Sequence, residues 1–370
     1  MNYCRTLLLL ALLSALPETR AAVLFEFDYS AGAEFLDPAA GPVRRAALED
    51  AAATLGAVFA HDATIQLKVT SSNDRQGDLL ASAFSEDPEV ALDFFGFSPG
   101  IVQQKILTGV DANGTEADGG VDVNFGQLWD FDDQISPDRF DFKATMIHEI
   151  LHAIGFGSSI FEDGTDGFGT PPGEPGVWST FDKFLAGPTG VSLIDDNYAL
   201  NGPAWDSTST GGASPQAGLT FNGPNAMAAN GGQPVGLYSP RRWEEGSSGS
   251  HLDDDNPALA GMVMLAATET GPYSRELSAI EKAILEDIGY TLASTTTPAS
   301  ASLTIQQSRS TITLTIEGTP GSYTIGTSTD MSNWKPLTTL TISQNGTTAS
   351  YDLPLNTTSN KAEYFSASPQ

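Results

Sequence analysis

The sequence predicts a mixed α+β catalytic domain followed by a small all-β sandwich domain. Over residues 23–125, strand-like alternation and helical spacing of apolar residues interleave, which is typical of a mixed sheet covered by helices. A further helical segment, 141–154, carries two histidines on one face. From residue 303 onwards the pattern is purely alternating. The predicted divisions are 22–293 for the first domain, 294–302 for a linker and 303–370 for the second domain.

The first 21 residues have the features of a secretory signal peptide. Arg5 gives a positive start, 6–15 form a short apolar run, and small residues precede Ala22. The apolar run is too short to span a bilayer, so we expect a secreted chain without a membrane anchor. Cys4, the only cysteine, lies in this leader. The mature chain is therefore expected to have neither a disulfide nor a cysteine-bound zinc.

The chain is strongly acidic, with a formal net charge of −29. Such a charge disfavours nucleic acid and anionic membranes as partners. Two acidic segments, Glu162–Asp166 and Asp253–Asn256, offer oxygen ligands for Ca²⁺, but neither has the spacing of an EF-hand loop. Solvated acidic turns are the interpretation that we favour for both. The sequence leaves the oligomeric state open.

The elements of the first domain follow from apolar spacing. Alternation predicts a third strand, Gly120–Phe125, and Val121–Phe125 within it is a candidate edge strand that aligns an extended peptide. A Gly-, Pro- and Ser-rich stretch at about 156–249 predicts a long, mostly irregular insertion. The other predicted elements of this domain are the strands Val23–Tyr29 and Thr64–Thr70 and the helices Val43–Phe59 and Ser278–Ile288.

The second domain is predicted from alternation alone. Ile312, Leu314 and Ile316 would face one side of a strand, and the threonines between them the other. Several short strands at this spacing are typical of a β-sandwich. The predicted strands are Thr311–Ile316, Tyr323–Thr327, Leu337–Ile342, Ala349–Leu353 and Glu363–Ala367.

Residues 148–156 read His-Glu-Ile-Leu-His-Ala-Ile-Gly-Phe. On a helix, His148 and His152 share one face and can bind one metal ion. Zinc accepts imidazole ligands and keeps a position open for water, whose proton a neighbouring carboxylate can take. Glu149 is the predicted general base. Asp141 is a plausible N-cap, and Gly155 is where the helix can stop.

A catalytic zinc usually has three protein ligands, and only two other histidines remain. His61 follows the predicted helix 43–59 and is interpreted as a helix-end histidine. His251 follows the long insertion, either as the third ligand or as an exposed loop histidine. The requirement for a third ligand favours the first of these.

The motif resembles that of the metzincin zinc metallopeptidases. Their usual third histidine stands three residues after the glycine, where this chain has Ser158. A long insertion before the third histidine is similar to the leishmanolysin-like branch. Closer still is a group of secreted bacterial metallopeptidase-like proteins with Gly-Ser-Ser-x-Ser-His-Leu-Asp, a methionine and Asp-Ile-Gly-Tyr. Here those segments are Gly246–Asp253, Met264 (or Met262) and Asp287–Tyr290.

The resemblance spans about 121–290 and implies a metzincin-like zincin fold with a mixed sheet and an active-site helix. It implies a zinc ion held by His148, His152 and His251, above a methionine turn at Met264, or alternatively at Met262. The implied activity is that of a secreted endopeptidase acting on a protein or peptide. The C-terminal segment resembles β-sandwich modules appended to bacterial exported proteins.

Two other functions stay open at this point. An exported adhesion or binding protein could keep zinc without turnover, although such a site would not need Glu149. A zinc hydrolase of non-peptide amides or esters would use the same water activation. An unusually closed cleft would favour this second alternative.

Overall fold

The computed structural model describes residues 23–91, 93–212, 216–293, 301–308, 310–331, 333–343, 346–354 and 364–369. These residues form a mixed α/β protein with several sheets and six α-helices. They divide into two compact units, one up to Ala293 and one from residue 301. The predicted leader 1–21 lies outside the described residues. Within them, no helix combines the length and apolar character needed to cross a membrane.

The first unit alternates strands and helices before its long insertion and closes on a helix. Three predicted elements are present within a few residues of the expected bounds. They are the strands Val23–Tyr29 and Thr64–Thr70 and the helix Val43–Phe59. Its elements are β1 Val23–Ala31, α1 Gly41–Gly56, β2 Ala63–Ser72, β3 Ala81–Ser85, β4 Gly96–Ser98, α2 Ile101–Thr108, β5 Gly119–Asn124, β6 Trp129–Asp130, β7 Phe140–Asp141, α3 Phe142–Ala153, β8 Val177–Ser179, β9 Leu185–Ala186, α4 Gly202–Thr208, β10 Thr220–Phe221, α5 Pro224–Ala229, β11 Val235–Gly236 and α6 Ala279–Asp287.

Four strands form the main sheet in the order β1-β2-β5-β3. The first three are parallel, and β3 pairs antiparallel with β5 at the edge. The prediction of Val121–Phe125 as an edge strand was therefore wrong. Five of the six residues of β5 are buried, which suits a strand paired on both sides, whereas β3 is mostly half-buried or exposed.

Helices α1 and α3 pack against each other, and α3 also contacts β3. Their apolar residues and those of the sheet belong to one hydrophobic core. In α3 the predicted stripe of Ile147, Ile150, Leu151 and Ile154 is at most 2 % exposed. This burial fixes the orientation of the helix relative to β3. It thereby also sets the direction in which the polar residues of the helix point.

The predicted insertion contains only short elements, as expected from its composition. It is nevertheless packed, because Trp178, Trp205 and Phe221 are fully buried in the same core. Asp166 is also fully buried and accepts three hydrogen bonds from main-chain N–H groups of its own loop. The solvated turn predicted for Glu162–Asp166 is thus wrong at Asp166, whose carboxylate organises the loop from inside.

The second unit holds two three-stranded antiparallel sheets, compatible with the predicted small β-sandwich. Ile312, Leu314 and Ile316 are buried as predicted, and residues of both sheets share one core. The first strand begins at Ala301, two residues before the predicted domain start. The strands are β12 Ala301–Gln307, β13 Thr311–Gly318, β14 Gly321–Ser328, β15 Lys335–Ile342, β16 Thr348–Pro354 and β17 Tyr364–Pro369.

Candidate metal centre

Helix α3 presents two of the candidate ligands from its last two turns. The Asp141 carboxylate caps the first turn by accepting from the Ala144 N–H at 3.1 Å, and it pairs with Arg275 at 2.9 Å. At the other end Gly155 has φ +93°, a conformation that favours glycine. The chain reverses there, so that the Phe156 carbonyl returns to the His152 ring at 2.8 Å.

The third histidine comes from the far end of the insertion and meets the pair on the helix. The Nε2 atoms of His148 and His251 are 3.0 Å apart, as are those of His152 and His251. The Nε2 atoms of His148 and His152 are 3.2 Å apart. Two nitrogen ligands of a tetrahedral zinc ion, each at about 2.05 Å, would be about 3.3 Å apart. The buried cluster can therefore hold a metal ion and is compatible with zinc.

The other ring nitrogens determine which atoms are available to a metal. Each Nδ1 lies 2.7–2.9 Å from a main-chain carbonyl oxygen: that of Val263 for His148, Phe156 for His152 and Ser247 for His251. A carbonyl oxygen only accepts, so each Nδ1 carries the proton and donates it. The three Nε2 lone pairs then point at one another, an arrangement that a cation stabilises.

Burial lowers the pKa of all three histidines. It brings the pKa of His152 to about 3, with a smaller contribution from neighbouring His148. Burial also lowers the pKa of His148, and it lowers that of His251 well below the usual value, helped by the other two rings. The rings are therefore neutral near pH 7, the form that binds metal.

Glu149 lies beside the histidines with its carboxyl group in the same cleft. Burial raises the pKa of Glu149 to about 8, and a hydrogen bond from the Ala83 N–H on β3 opposes that rise. Without metal, burial therefore favours the protonated form of Glu149. A cation bound by the histidines would favour the carboxylate, which is the form that can take a proton.

An open cleft of about 920 Å³ contains the cluster and runs along β3. The Asn124 N–H bonds to the Leu80 carbonyl, which establishes which main-chain groups of β3 face β5. By alternation, Ala81, Ala83 and Ser85 turn their N–H and C=O groups away from β5, on the side of the free edge. Residues 266–268 also line the cleft.

The structure places the remaining predicted residues as follows. Met264 is fully buried, and its carbonyl accepts from the Leu252 N–H, next to His251. Met262 is partly buried, and the Val263 carbonyl between the two methionines holds the His148 ring. A methionine turn in this segment remains a prediction. His61 lies elsewhere, where its Nε2 accepts from the Thr291 N–H at 2.9 Å.

The second acidic segment is also part of the fold. Asp253 is buried, and Asp254 accepts from the N–H groups of Ala266 and Ala267 at 2.8 and 2.9 Å. These two alanines line the cleft. The prediction of a solvated turn is wrong at Asp253, whereas Asp254 and Asp255 are exposed and lie in a turn. The Asp254 carboxylate also supports one wall of the cleft.

Sequence reasoning missed three contributors to the site. Strand β3, Ser250 and Asp182 were not predicted. Asp182 is fully buried, and burial raises its pKa, although it accepts from the N–H and Oγ of Ser159 at 3.2 and 2.7 Å. The short alternation Ala-Ser-Ala-Phe-Ser was the available signal for β3. Nothing in the local pattern distinguished Asp182 from the other acidic residues.

Comparison with protein-family models, with curated proteins and with solved structures gives no match for this chain.

Proposed function

We propose that this chain is a zinc-dependent endopeptidase in which His148, His152 and His251 hold the metal and Glu149 is the general base. The observation that carries the proposal is the convergence of three proton-free Nε2 atoms within 3.2 Å of one another. The mixed sheet and the helix bearing two ligands support the metzincin-like fold implied by the sequence motif. The predicted leader makes the proposed enzyme a secreted one.

The residues of the chain divide the work of hydrolysis. When bound, zinc lowers the pKa of a water molecule and polarises a carbonyl group. The three histidines stay neutral and oriented, because each donates its Nδ1 proton to a main-chain carbonyl. The Glu149 carboxylate takes the proton of the attacking water and returns it to the leaving amine. Its bond to the Ala83 N–H keeps it facing the cleft.

The shape of the cleft supports a peptide as the substrate. It is open and follows β3 from one end to the other, and residues 77–80 extend it further. The main-chain groups of Ala81 and Ser85 and the carbonyl of Ala83 face outwards and offer an extended chain the pairing of an added strand. The Ala83 N–H faces Glu149 instead. An enclosed pocket would have favoured a small ester or amide. The cleft therefore favours the endopeptidase over the hydrolase of non-peptide substrates.

The test is digestion of casein by purified chain beginning at Ala22, with and without a zinc chelator. We expect cleavage that the chelator abolishes and that added Zn²⁺ restores, with about one zinc per chain. Glu149→Gln is expected to bind zinc but to lose at least about 100-fold in rate, the scale of general-base catalysis. Asp206→Asn, which alters an exposed carboxylate that does not line the cleft, is the matched control and should cleave normally.

The other outcomes identify the alternatives. Stoichiometric zinc without cleavage of casein or of a peptide library would favour an exported binding protein or a hydrolase of non-peptide substrates. A chain that binds no zinc would overturn the proposal altogether.

A further inference from the structure

The third ligand must be held in place across a long stretch of chain. His251 is 99 residues from His152 and 103 from His148. The single cysteine of the sequence, Cys4, leaves no disulfide to tie the insertion down. Noncovalent contacts beside the ligands therefore set the position of His251 relative to the helix.

One side chain joins the segments on which His152 and His251 lie. The Ser250 Oγ accepts from the Ser158 N–H at 3.1 Å and donates to the Ser158 carbonyl at 3.2 Å. A hydroxyl has one proton and two lone pairs, so it can make both bonds at once. Ser250 directly precedes His251, and Ser158 follows the helix that carries His152. The hydroxyl thus connects the two segments by two hydrogen bonds, one that it accepts and one that it donates.

Gly157 allows the two segments to come this close. A Cβ atom at this position would lie 3.3 Å from both Cβ and Oγ of Ser250 and 3.4 Å from Nδ1 of His152. Such distances are tighter than ordinary van der Waals contact, and φ at Gly157 is +151°. A side chain at position 157 would therefore push against both Ser250 and the ring of His152.

Further hydrogen bonds hold the segment of Ser158, the partner of Ser250. The Asp182 carboxylate accepts from Ser159, and the Ser158 Oγ accepts from the Ile160 N–H at 3.1 Å. Residues 158–160 are therefore held by contacts of their own, as is His251, whose carbonyl accepts from the Tyr238 N–H at 2.9 Å. The Ser250 hydroxyl is the side chain that links these two segments, and its loss would change the spacing between them.

We propose that Ser250 is a positioning residue for the metal centre, acting through His251. Its hydroxyl holds the third imidazole at the distance from the helix that completes the three-nitrogen site. This role rests on the proposed function to the extent that the site binds zinc. It is distinct from the bond between His251 and the Ser247 carbonyl, which orients the ring but makes no contact with the helix segment.

The test compares S250A with S250T and S207A in the full chain after removal of metal. The zinc dissociation constant is measured by competition with a chromophoric chelator, and metal-free stability by thermal unfolding. We expect S250A to weaken zinc binding by about 10- to 100-fold, the usual effect of removing a group that supports a ligand. S250T keeps the hydroxyl but adds a methyl group close to Gly157, so it should restore part of the affinity. S207A should bind normally, because the exposed hydroxyl of Ser207 bonds the Ala204 carbonyl within helix α4, away from the cleft.

A second readout separates positioning from general stabilisation. Bound Co²⁺ has visible absorption bands that depend on the ligand arrangement, and S250A should change them while S207A does not. If S250A lowers only the metal-free melting temperature, with zinc affinity and Co²⁺ spectrum as in the wild type, the positioning role is overturned. A wild-type chain that binds neither metal would overturn the proposed function as well, and the two failures are thereby distinguished.

Discussion

At the scale of single residues, the three histidines and Glu149 respond to pH in opposite directions. Burial lowers the pKa of the histidines, so the unfolded chain takes up protons that the folded chain refuses as the pH falls below about 6.5. Burial raises the pKa of Glu149 to about 8, so the folded chain retains a proton that the unfolded chain releases above about 4.5. Each group contributes at most about 1.4 kcal/mol per pH unit.

These signs predict a stability maximum near pH 6.5 for the metal-free protein. Below that pH three histidines lower the free energy of unfolding while Glu149 alone raises it, so the histidines dominate. Between pH 6.5 and 8 only Glu149 acts among these four residues, and stability falls as the pH rises. Thermal unfolding in a chelator from pH 5 to 8.5 measures this.

The variant Glu149→Gln is the control for that experiment. It removes the titrating group and keeps the shape, so the decline between pH 6.5 and 8 should disappear while the acid-side loss remains. A wild-type melting temperature that rises steadily to pH 8 would contradict the assignment of a buried, uncharged Glu149.

At the scale of elements, β3 determines how a peptide can bind. Because the main-chain groups of β3 that face outwards recur at Ala81, at the Ala83 carbonyl and at Ser85, a bound strand would pair at every second residue. Peptides carrying a single backbone N-methyl group at successive positions around the scissile bond test this. We expect kcat/KM to fall about 2- to 10-fold at alternate positions, the effect of one lost hydrogen bond.

Positions between these should tolerate the methyl group, which makes the unaffected peptides an internal control. Equal losses at all positions, or none, would show that the substrate does not add to β3.

The elements also show what a single sequence could predict. Helix α3 was predicted well because its signals are local: Asp141 as the cap, an apolar stripe and Gly155 as the stop. The position of β5 inside the sheet was not predictable from its own residues, because it depends on the pairing of β3 across a long loop. Small residues in β3 gave an alternation too weak to outweigh the strong one in Gly120–Phe125.

The site residues that could be predicted were again those with signals in the nearby sequence. The pair on α3 could be found from its spacing, and His251 from the shortage of other histidines. The hydroxyl of Ser250 and the carboxylate of Asp182 could not, because their roles depend on partners 92 and 23 residues away. Such contacts exist only once the insertion has packed against the core.

At the scale of the whole molecule, charge predicts a preference among peptides. Besides Glu149, the cleft is lined by Asp78 and Glu245 and by no lysine or arginine among the described residues, and the chain carries a net charge of −29. Its field should attract cationic peptides and repel acidic ones. Matched peptides with lysine or glutamate beside the scissile bond should therefore differ by about tenfold or more in kcat/KM at low salt.

Salt provides the control for that comparison. At 0.5 M NaCl the screening length falls to about 4 Å, and the preference should shrink accordingly. E245Q should reduce it further without lowering the rate on neutral peptides. Equal cleavage of the acidic and basic peptides at low salt would contradict an electrostatic selection.

The distance of His251 from the helix along the chain has a further consequence. A metal ion bound by residues 152 and 251 joins positions 99 residues apart, and it stabilises the folded chain through its binding free energy, because the unfolded chain lacks the site. In a chain without a disulfide, the ion would connect the end of the insertion to helix α3 as well as take part in catalysis. Loss of metal would then loosen a Gly- and Ser-rich segment, which the molecules that still hold zinc could cut. When zinc is scarce, zinc-bound molecules would cleave metal-free ones, so the amount of intact protein would follow the metal supply.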